Sequence, residues 1–139
     1  MLIDSHCHLN YLDDPEEAID RARDAGVTTC LCISVDEAGF PAVKSLATCH
    51  ADIWATAGVH PDAADGNLEW IEAELAHERV VAVGETGLDY LHADDPGTKA
   101  RQREDQRQEQ ALDSLGTHCP HGQHGSKGEE RPRQHTERE

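Results

Sequence analysis

The chain repeats one structural unit, in which an apolar segment with strand propensity is followed by a segment with helical periodicity. The strand-like segments begin near residues 1, 28, 53 and 80, which spaces them by 27, 25 and 27 residues. Strands that alternate with helices at this interval pair in parallel through right-handed crossovers. The repeat therefore predicts an α/β fold with a parallel sheet.

Local signals agree with this assignment. Asp14 precedes Pro15 and two glutamates, which is typical of a helix N-terminus, and Gly26 follows the last apolar residue as a stop signal. The expected strands are Met1–Leu9, Thr28–Ser34, Ile53–Val59 and Val80–Val83, and the expected helices span 15–25, 36–50 and 68–76. A (β/α)8 barrel has eight such units and a lower size limit of roughly 200 residues. Four units predict a partial (β/α)8 TIM-type barrel with two open sheet edges.

Charge and hydrophobicity divide the chain into two parts. Residues 1–98 contain twenty acidic and four basic residues, whereas residues 99–139 contain eight of each sign and only five hydrophobic residues. So little apolar surface cannot offset the entropy of ordering a chain. We therefore expect a barrel half at 1–104 and a polar, low-complexity tail at 105–139. We expect this tail to be irregular, to become disordered after about residue 115, and to have no side chains that pack on the sheet.

The change of composition is abrupt, and residues 101–110 contain no apolar side chain at all. A crossover helix at this point of a barrel needs an apolar stripe to face the sheet. The hypothesis that accounts for the change is a shift of the reading frame after about Glu104.

The composition also excludes several classes of protein. No run of ~18 apolar residues occurs and no basic segment precedes an apolar one at the N-terminus, so we expect neither a membrane span nor a signal peptide. The formal net charge of −16 excludes a basic protein that coats nucleic acid by replacing phosphate counterions. The five cysteines, without a leader, predict reduced thiols and a cytoplasmic location.

The end of the first strand carries the first candidate site residues. His6 and His8 are two positions apart, so the period of a strand places both imidazoles on one face, with Cys7 on the other. This end of a barrel strand is where active sites are built, and two adjacent imidazoles are able to share one metal ion. Asp4 lies on the same face and could orient one of them. The alternative is that the two are surface histidines at a strand-to-loop junction.

A carboxylate follows the fourth strand at the same end. The segment 80–83 leads directly into the sequence GETGLD, which places Glu85 beside the mouth of the barrel. Two imidazoles and a carboxylate that converge there suit a hydrolytic divalent cation. The alternative is that Glu85 caps a loop and Asp89 starts a turn.

Four motifs together resemble the TatD-type DNases, which are metal-dependent hydrolases of the amidohydrolase-like group of TIM barrels. They are MLIDSHCHL at the start, DAGV at 24–27, GVHP at 58–61 and VGETGLDY at 83–90. The resemblance covers about residues 1–104, with the motifs in the expected order. It implies a TIM-type barrel, a site for two divalent ions, and cleavage of DNA phosphodiester bonds, often from an end.

The resemblance also implies roles for single residues. His6 and His8 would ligate the first metal, and Glu85 would bridge both metals as the catalytic carboxylate. The metals would be Mg²⁺ first, with Mn²⁺ or Zn²⁺ as alternatives, and DNA would be the substrate. His60 in GVHP would either contact a substrate phosphate or be a hydrogen-bonded structural histidine.

The family supplies further ligands from later strands, namely two histidines and an aspartate, and the sequence predicts no strand here that could carry them. No ligand role is assigned to the tail histidines His118, His121, His124 and His135. We therefore expect this chain to be a truncated and inactive relative of a DNase. The alternatives are a hydrolase of the same superfamily that acts on another ester or an amide, and a non-catalytic gene fragment.

Overall fold

The computed structural model describes residues 1–63, 67–93 and 95–116. The strands are β1 (Leu2–Cys7), β2 (Val27–Cys32), β3 (Ile53–Ala57) and β4 (Val80–Val83), and the helices are α1 (Pro15–Asp24), α2 (Phe40–Cys49), α3 (Glu69–Glu74) and α4 (Pro96–Gly116). The strands form one parallel sheet in the order β1-β2-β3-β4. The predicted α/β architecture of four strand–helix units is thereby confirmed.

The start of α2 differs from the prediction. The helix was expected from residue 36, but the side chain of Asp36 accepts a hydrogen bond from the Gly39 N–H at 2.6 Å. Its carbonyl oxygen also accepts one from the Phe40 N–H at 3.2 Å. These two bonds hold residues 36–39 in a turn, so α2 begins at Phe40.

The hydrophobic core lies between the sheet and the helices. Its fully buried members come from the inward faces of α2, α3, β2 and β3 and include Val43, Ala47, Ile53, Ala55 and Ile71. Strand β1 is different, because five of its six residues are exposed. The sheet therefore has a well-covered centre and an open edge at β1.

Helix α4 corrects one expectation and leaves another open. The segment 101–110 does pack on the rest of the molecule, because Gln102, Asp105 and Glu109 are 1%, 4% and 2% exposed. These positions recur at helical spacing, so the stripe facing the sheet is polar rather than apolar. Residues 117–139, including the four tail histidines, lie outside the described residues. The domain division at 104 and the reading-frame hypothesis stay predictions.

Among the described residues, no helix combines the length and the apolar character needed to cross a bilayer. The expected cytoplasmic location stays a prediction.

Candidate metal centre

The side chains of His6, His8 and Glu85 converge at the carboxyl ends of β1 and β4. One ligand atom from each lies within 4.8 Å of the other two. Glu85 Oε2 is 3.5 Å from His6 Nε2 and 3.6 Å from His8 Nε2. Since β1 and β4 are the outermost strands of the sheet, this meeting requires the sheet to curve as a barrel wall does.

A backbone carbonyl orients the ring of His8. His8 Nδ1 lies 3.1 Å from the carbonyl oxygen of Ile33, and since a carbonyl only accepts hydrogen bonds, Nδ1 carries the proton. In the neutral ring, Nε2 then presents its lone pair toward Glu85. This is the arrangement in which a histidine binds a metal, with its other nitrogen donating to a fixed oxygen.

The ring of His6 is the more exposed of the two. Its Nε2 lies 3.2 Å from His8 Nε2, and since His8 Nε2 has the lone pair, His6 Nε2 donates this hydrogen bond. Asp4 does not hold this ring as the sequence suggested. Instead its Oδ1 accepts a hydrogen bond from the main-chain N–H of His6 at 3.1 Å, and thereby fixes the backbone at His6.

Main-chain contacts position Glu85. Its N–H donates to the carbonyl oxygen of Ser34 at 2.8 Å, and the preceding N–H of Gly84 donates to Ala57 at 3.0 Å. The hydroxyl of Thr56 donates to the carbonyl oxygen of Gly84. These hydrogen bonds therefore fix the backbone at the end of β4, from which the Glu85 side chain extends to the mouth of the sheet.

Gly58 makes this close approach possible. A Cβ atom at position 58 would lie 2.4 Å from the carbonyl carbon of Gly84 and 2.6 Å from its oxygen. Real Cβ atoms do not come so close to backbone, so any larger residue would push the ends of β3 and β4 apart. The glycine of the GVHP motif therefore serves the position of Glu85.

His60 borders the same carboxylate without joining the three-residue cluster. Its Nδ1 accepts a hydrogen bond from the Asp62 N–H at 3.2 Å, and its Nε2 lies 3.8 Å from Glu85 Oε1. The neutral ring thus carries its proton on Nε2 and faces the second oxygen of Glu85. His60 therefore forms a hydrogen bond, as expected for a structural histidine. Its ring also lies at the mouth of the sheet, beside Glu85.

A second group of possible ligands was not anticipated. Atoms of Asp62, Asp89 and His92 lie within 4.8 Å of one another. His92 Nδ1 is 2.6 Å from Asp89 Oδ2, and this hydrogen bond holds the pKa of Asp89 below its usual range. Asp89 also starts a turn, because its Oδ1 accepts from the N–H groups of Leu91 and His92.

Glu109 is a buried carboxyl group that no sequence pattern singled out. Its Oε1 accepts a hydrogen bond from the Val59 N–H at 2.9 Å. Burial, with the charge of Asp105 adding to it, raises the pKa of Glu109 to about 7. The spacing of 102, 105 and 109 was a helical signal, but the residues are polar and so did not mark a buried face.

The cysteines behave as small buried groups. Cys30 and Cys32 are buried, and the thiol of Cys7 donates to the carbonyl oxygen of Leu31 at 3.3 Å. The four cysteines in the described part of the chain are free thiols. The side-chain hydrogen bond with Cys32, with burial adding to it, raises the pKa of the Cys7 thiol.

Comparison with known proteins points to one family. The family model of the TatD related DNases matches residues 3–115. The chain is 38% identical over 97 residues to YabD of Bacillus subtilis, which is described as an uncharacterized metal-dependent hydrolase. The aligned segment covers 65% of this chain and 38% of YabD. It is 39% identical over 89 residues to the 3′-5′ ssDNA/RNA exonuclease TatD of Pantoea ananatis, covering 58% of this chain and 33% of that protein. The chain thus spans about two fifths or less of these relatives.

A solved structure shows the same fold. The crystal structure of YJJV, a TatD homolog from Escherichia coli K12, superposes with a TM-score of 0.70 at 29% sequence identity. The match covers 83% of this chain and 47% of that one, so the four strand–helix units correspond to part of a longer TatD-type barrel. By the family match over residues 3–115, the chain belongs to the TatD related DNase family.

Proposed function

We propose that the chain binds a divalent cation through His6, His8 and Glu85, and that this site is built for hydrolysis of DNA phosphodiester bonds. The observation that carries the proposal is the convergence of the three ligand atoms within 4.8 Å at the mouth of the sheet. The names of the relatives, which include metal-dependent hydrolases and an exonuclease, support the same chemistry.

The donor set fits a divalent cation. Two imidazole nitrogens and one carboxylate oxygen suit Zn²⁺ and Mn²⁺, while Mg²⁺, the ion that the family resemblance places first, prefers oxygen ligands. A cation bound there would polarise a phosphoryl oxygen and lower the pKa of water. His8 is already in the tautomer that binding needs, whereas in His6 the proton has to move from Nε2 to Nδ1 before Nε2 is able to ligate.

Glu85 divides its two oxygens between two directions. Oε2 faces the imidazoles of His6 and His8, and Oε1 faces His60. A carboxylate placed in this way is able to bridge two cations, which supports the bridging and catalytic role that we propose for Glu85. His60, with its Nε2 proton beside Oε1, is placed to donate to a phosphate oxygen of the substrate.

We also propose that the 139-residue chain has negligible nuclease activity. The described cluster provides three ligands, which is sufficient for one weakly held ion, and a second ion would have Glu85 alone. Each absent ligand removes a large share of the binding free energy. DNA also has to approach a surface that carries a strong excess of negative charge.

Isothermal titration of the chain with Mn²⁺, Zn²⁺ and Mg²⁺ tests the metal site. Wild type is expected to bind one ion, and Glu85→Gln is expected to bind it at least ~100-fold more weakly, because a ligand matters more than the outer-shell groups that cost 10–100-fold. Glu72→Gln, which removes an exposed carboxylate of α3, is the matched control. Equal binding by wild type and Glu85→Gln would refute the site.

A nuclease assay tests the second part of the proposal. With an end-labelled single-stranded oligonucleotide and each metal in turn, release of nucleotides should not exceed that of the enzyme-free control. Metal-dependent release that Glu85→Ala abolishes would show that the chain is active after all, and would leave the assignment of the site standing.

A further inference from the structure

We infer that Tyr90, Lys99 and Arg103 form a contact site for single-stranded nucleic acid beside the metal centre. This cation–aromatic patch rests on the proposed function, since that function makes nucleic acid the substrate. It adds a second place of contact, away from the hydrolytic carboxylate, where an unpaired base and the phosphate next to it would be held.

The three side chains of the patch are in contact. Arg103 Nη1 donates a hydrogen bond to the Tyr90 hydroxyl at 3.0 Å, and its guanidinium carbon lies 5.9 Å from the ring centroid. Lys99 Nζ lies 5.7 Å from the same centroid. Tyr90 is nevertheless 43% exposed, so part of its ring is open to a ligand.

The charges of the patch stand out in a strongly acidic chain. The four basic residues within 1–98 are all engaged elsewhere: Arg21 with Glu17, Arg23 with Asp52, Lys44 with Glu74, and Arg79 with backbone carbonyls. In the part of the chain that the structure describes, neither Lys99 nor Arg103 forms a salt bridge. Within those residues, both cations lie against the ring of Tyr90 rather than against a carboxylate.

The patch is fixed to the loops that form the mouth. Gln102, on the same helix, accepts a hydrogen bond from the Asp89 N–H at 3.0 Å and donates to the carbonyl oxygens of Asp89 and Pro61, both at 3.1 Å. Tyr90 follows Asp89 directly in the loop that begins with Glu85. A continuous series of neighbours also runs from Glu85 through His60 and Asp62 to Asp89.

The chemistry of the patch selects a single strand. An exposed aromatic ring stacks on an unpaired base, and neighbouring cations bind the backbone phosphates, which is the combination that proteins use for single-stranded nucleic acid. In a duplex, stacked and paired bases present no face to the ring. Asp62 and Asp89 repel a phosphate placed directly over them. A nucleic-acid strand that extends from the metal centre past these carboxylates would then bind its phosphates to Lys99 and Arg103.

Fluorescence anisotropy of a short labelled single-stranded oligodeoxynucleotide, at low salt and in EDTA, tests the inference on the full chain. Arg103→Gln is expected to weaken binding about fivefold and to lower the slope of log affinity against log salt by about 0.7, the value for one phosphate contact on a single strand. Tyr90→Leu is expected to weaken binding about tenfold, whereas Tyr90→Phe, which keeps the ring, is expected to bind like wild type.

Matched controls separate this effect from general charge and from folding. Arg107→Gln removes a cation of the same helix that is paired with Glu104, and should leave binding nearly unchanged. The substituted side chains of Tyr90 and Arg103 are exposed, so the far-ultraviolet circular dichroism of each variant should match wild type. A duplex of the same sequence should bind more weakly and without dependence on Tyr90.

The inference is overturned if wild type does not bind the single strand, if Arg103→Gln and Tyr90→Leu bind like wild type, or if Arg107→Gln has an equal effect. Because the measurement is made in EDTA, its outcome is distinct from that of the metal titration. Glu85→Gln should bind the oligonucleotide normally even where it has lost the metal.

Discussion

At the scale of single residues, Glu109 is a carboxyl group whose burial has a consequence for stability. Its pKa of about 7 lies above the ordinary value of 4.5. Between these two values the folded state keeps a proton that the unfolded state has released, so the free energy of unfolding decreases as pH rises from about 4.5 to about 7. Above pH 7 the folded protein contains a buried carboxylate whose main compensation is the Val59 N–H.

Glu109→Gln should therefore stabilise the protein at pH 8. The amide oxygen still accepts the Val59 N–H, and no charge is buried, so we expect a gain of about 1–3 kcal/mol at pH 8 and little change at pH 4.5. Urea denaturation of both proteins at the two pH values measures the difference. Glu104→Gln, at an exposed position of the same helix, should show no such dependence. A loss of stability at pH 8 would contradict the pKa assignment.

At the scale of elements, α4 is attached to the molecule by hydrogen bonds from buried polar side chains in addition to the apolar contact of Leu112. The carboxamide of Gln102 is 1% exposed and makes three hydrogen bonds to two loops. Glu109 likewise accepts the Val59 N–H, so at these two positions hydrogen bonds take the place of apolar contact. This explains how a segment of strongly polar composition is able to form the fourth helix.

Gln102→Met tests this attachment. Methionine has a similar size but leaves the Asp89 N–H and two carbonyl oxygens without their partner, so we expect a loss of about 2–4 kcal/mol in the free energy of unfolding. Chemical denaturation followed by circular dichroism gives the value. Gln108→Met, at an exposed position of α4, controls for the change in composition. A loss below that of the control would mean that other contacts hold the helix.

At the scale of the whole molecule, the sheet has the open edges that half of a barrel predicts. Leu2 and Ile3 of β1 are 58% and 60% exposed, and Val81 of β4 is 49% exposed. Unpaired edge strands with exposed apolar side chains template association with other chains. The strong net negative charge of the chain opposes this association, and salt weakens that opposition.

We therefore expect the chain to self-associate through β1 as salt is raised. Ile3→Lys should reduce the associated fraction, because a charge on an edge strand disfavours further strand pairing. Sedimentation velocity at low and high salt measures the effect. Leu91→Lys, which alters a side chain that is 84% exposed in a loop, should change association less. An equal effect of the two substitutions would indicate nonspecific aggregation rather than pairing at this edge.

The sequence by itself determined the order of strands and helices, the parallel sheet and the three residues at the mouth. These follow from short-range physics: β-branched and apolar runs form buried strands, period-two spacing places His6 and His8 together, and Glu85 immediately follows an apolar strand. The family motifs added the membership of the TatD related DNase family, because several of them occur in the correct order within one chain.

Only the tertiary structure decided how α4 packs and which groups support the site. The burial of Gln102 and Glu109 depends on backbone donors and acceptors that come from loops distant in sequence, so composition alone predicted an unpacked segment. The proximity of Gly58 to Gly84 and of Tyr90 to Arg103 likewise depends on how separate elements meet. Contacts of this kind leave no periodic signal in a sequence, because each partner is specified by three-dimensional position rather than by spacing along the chain.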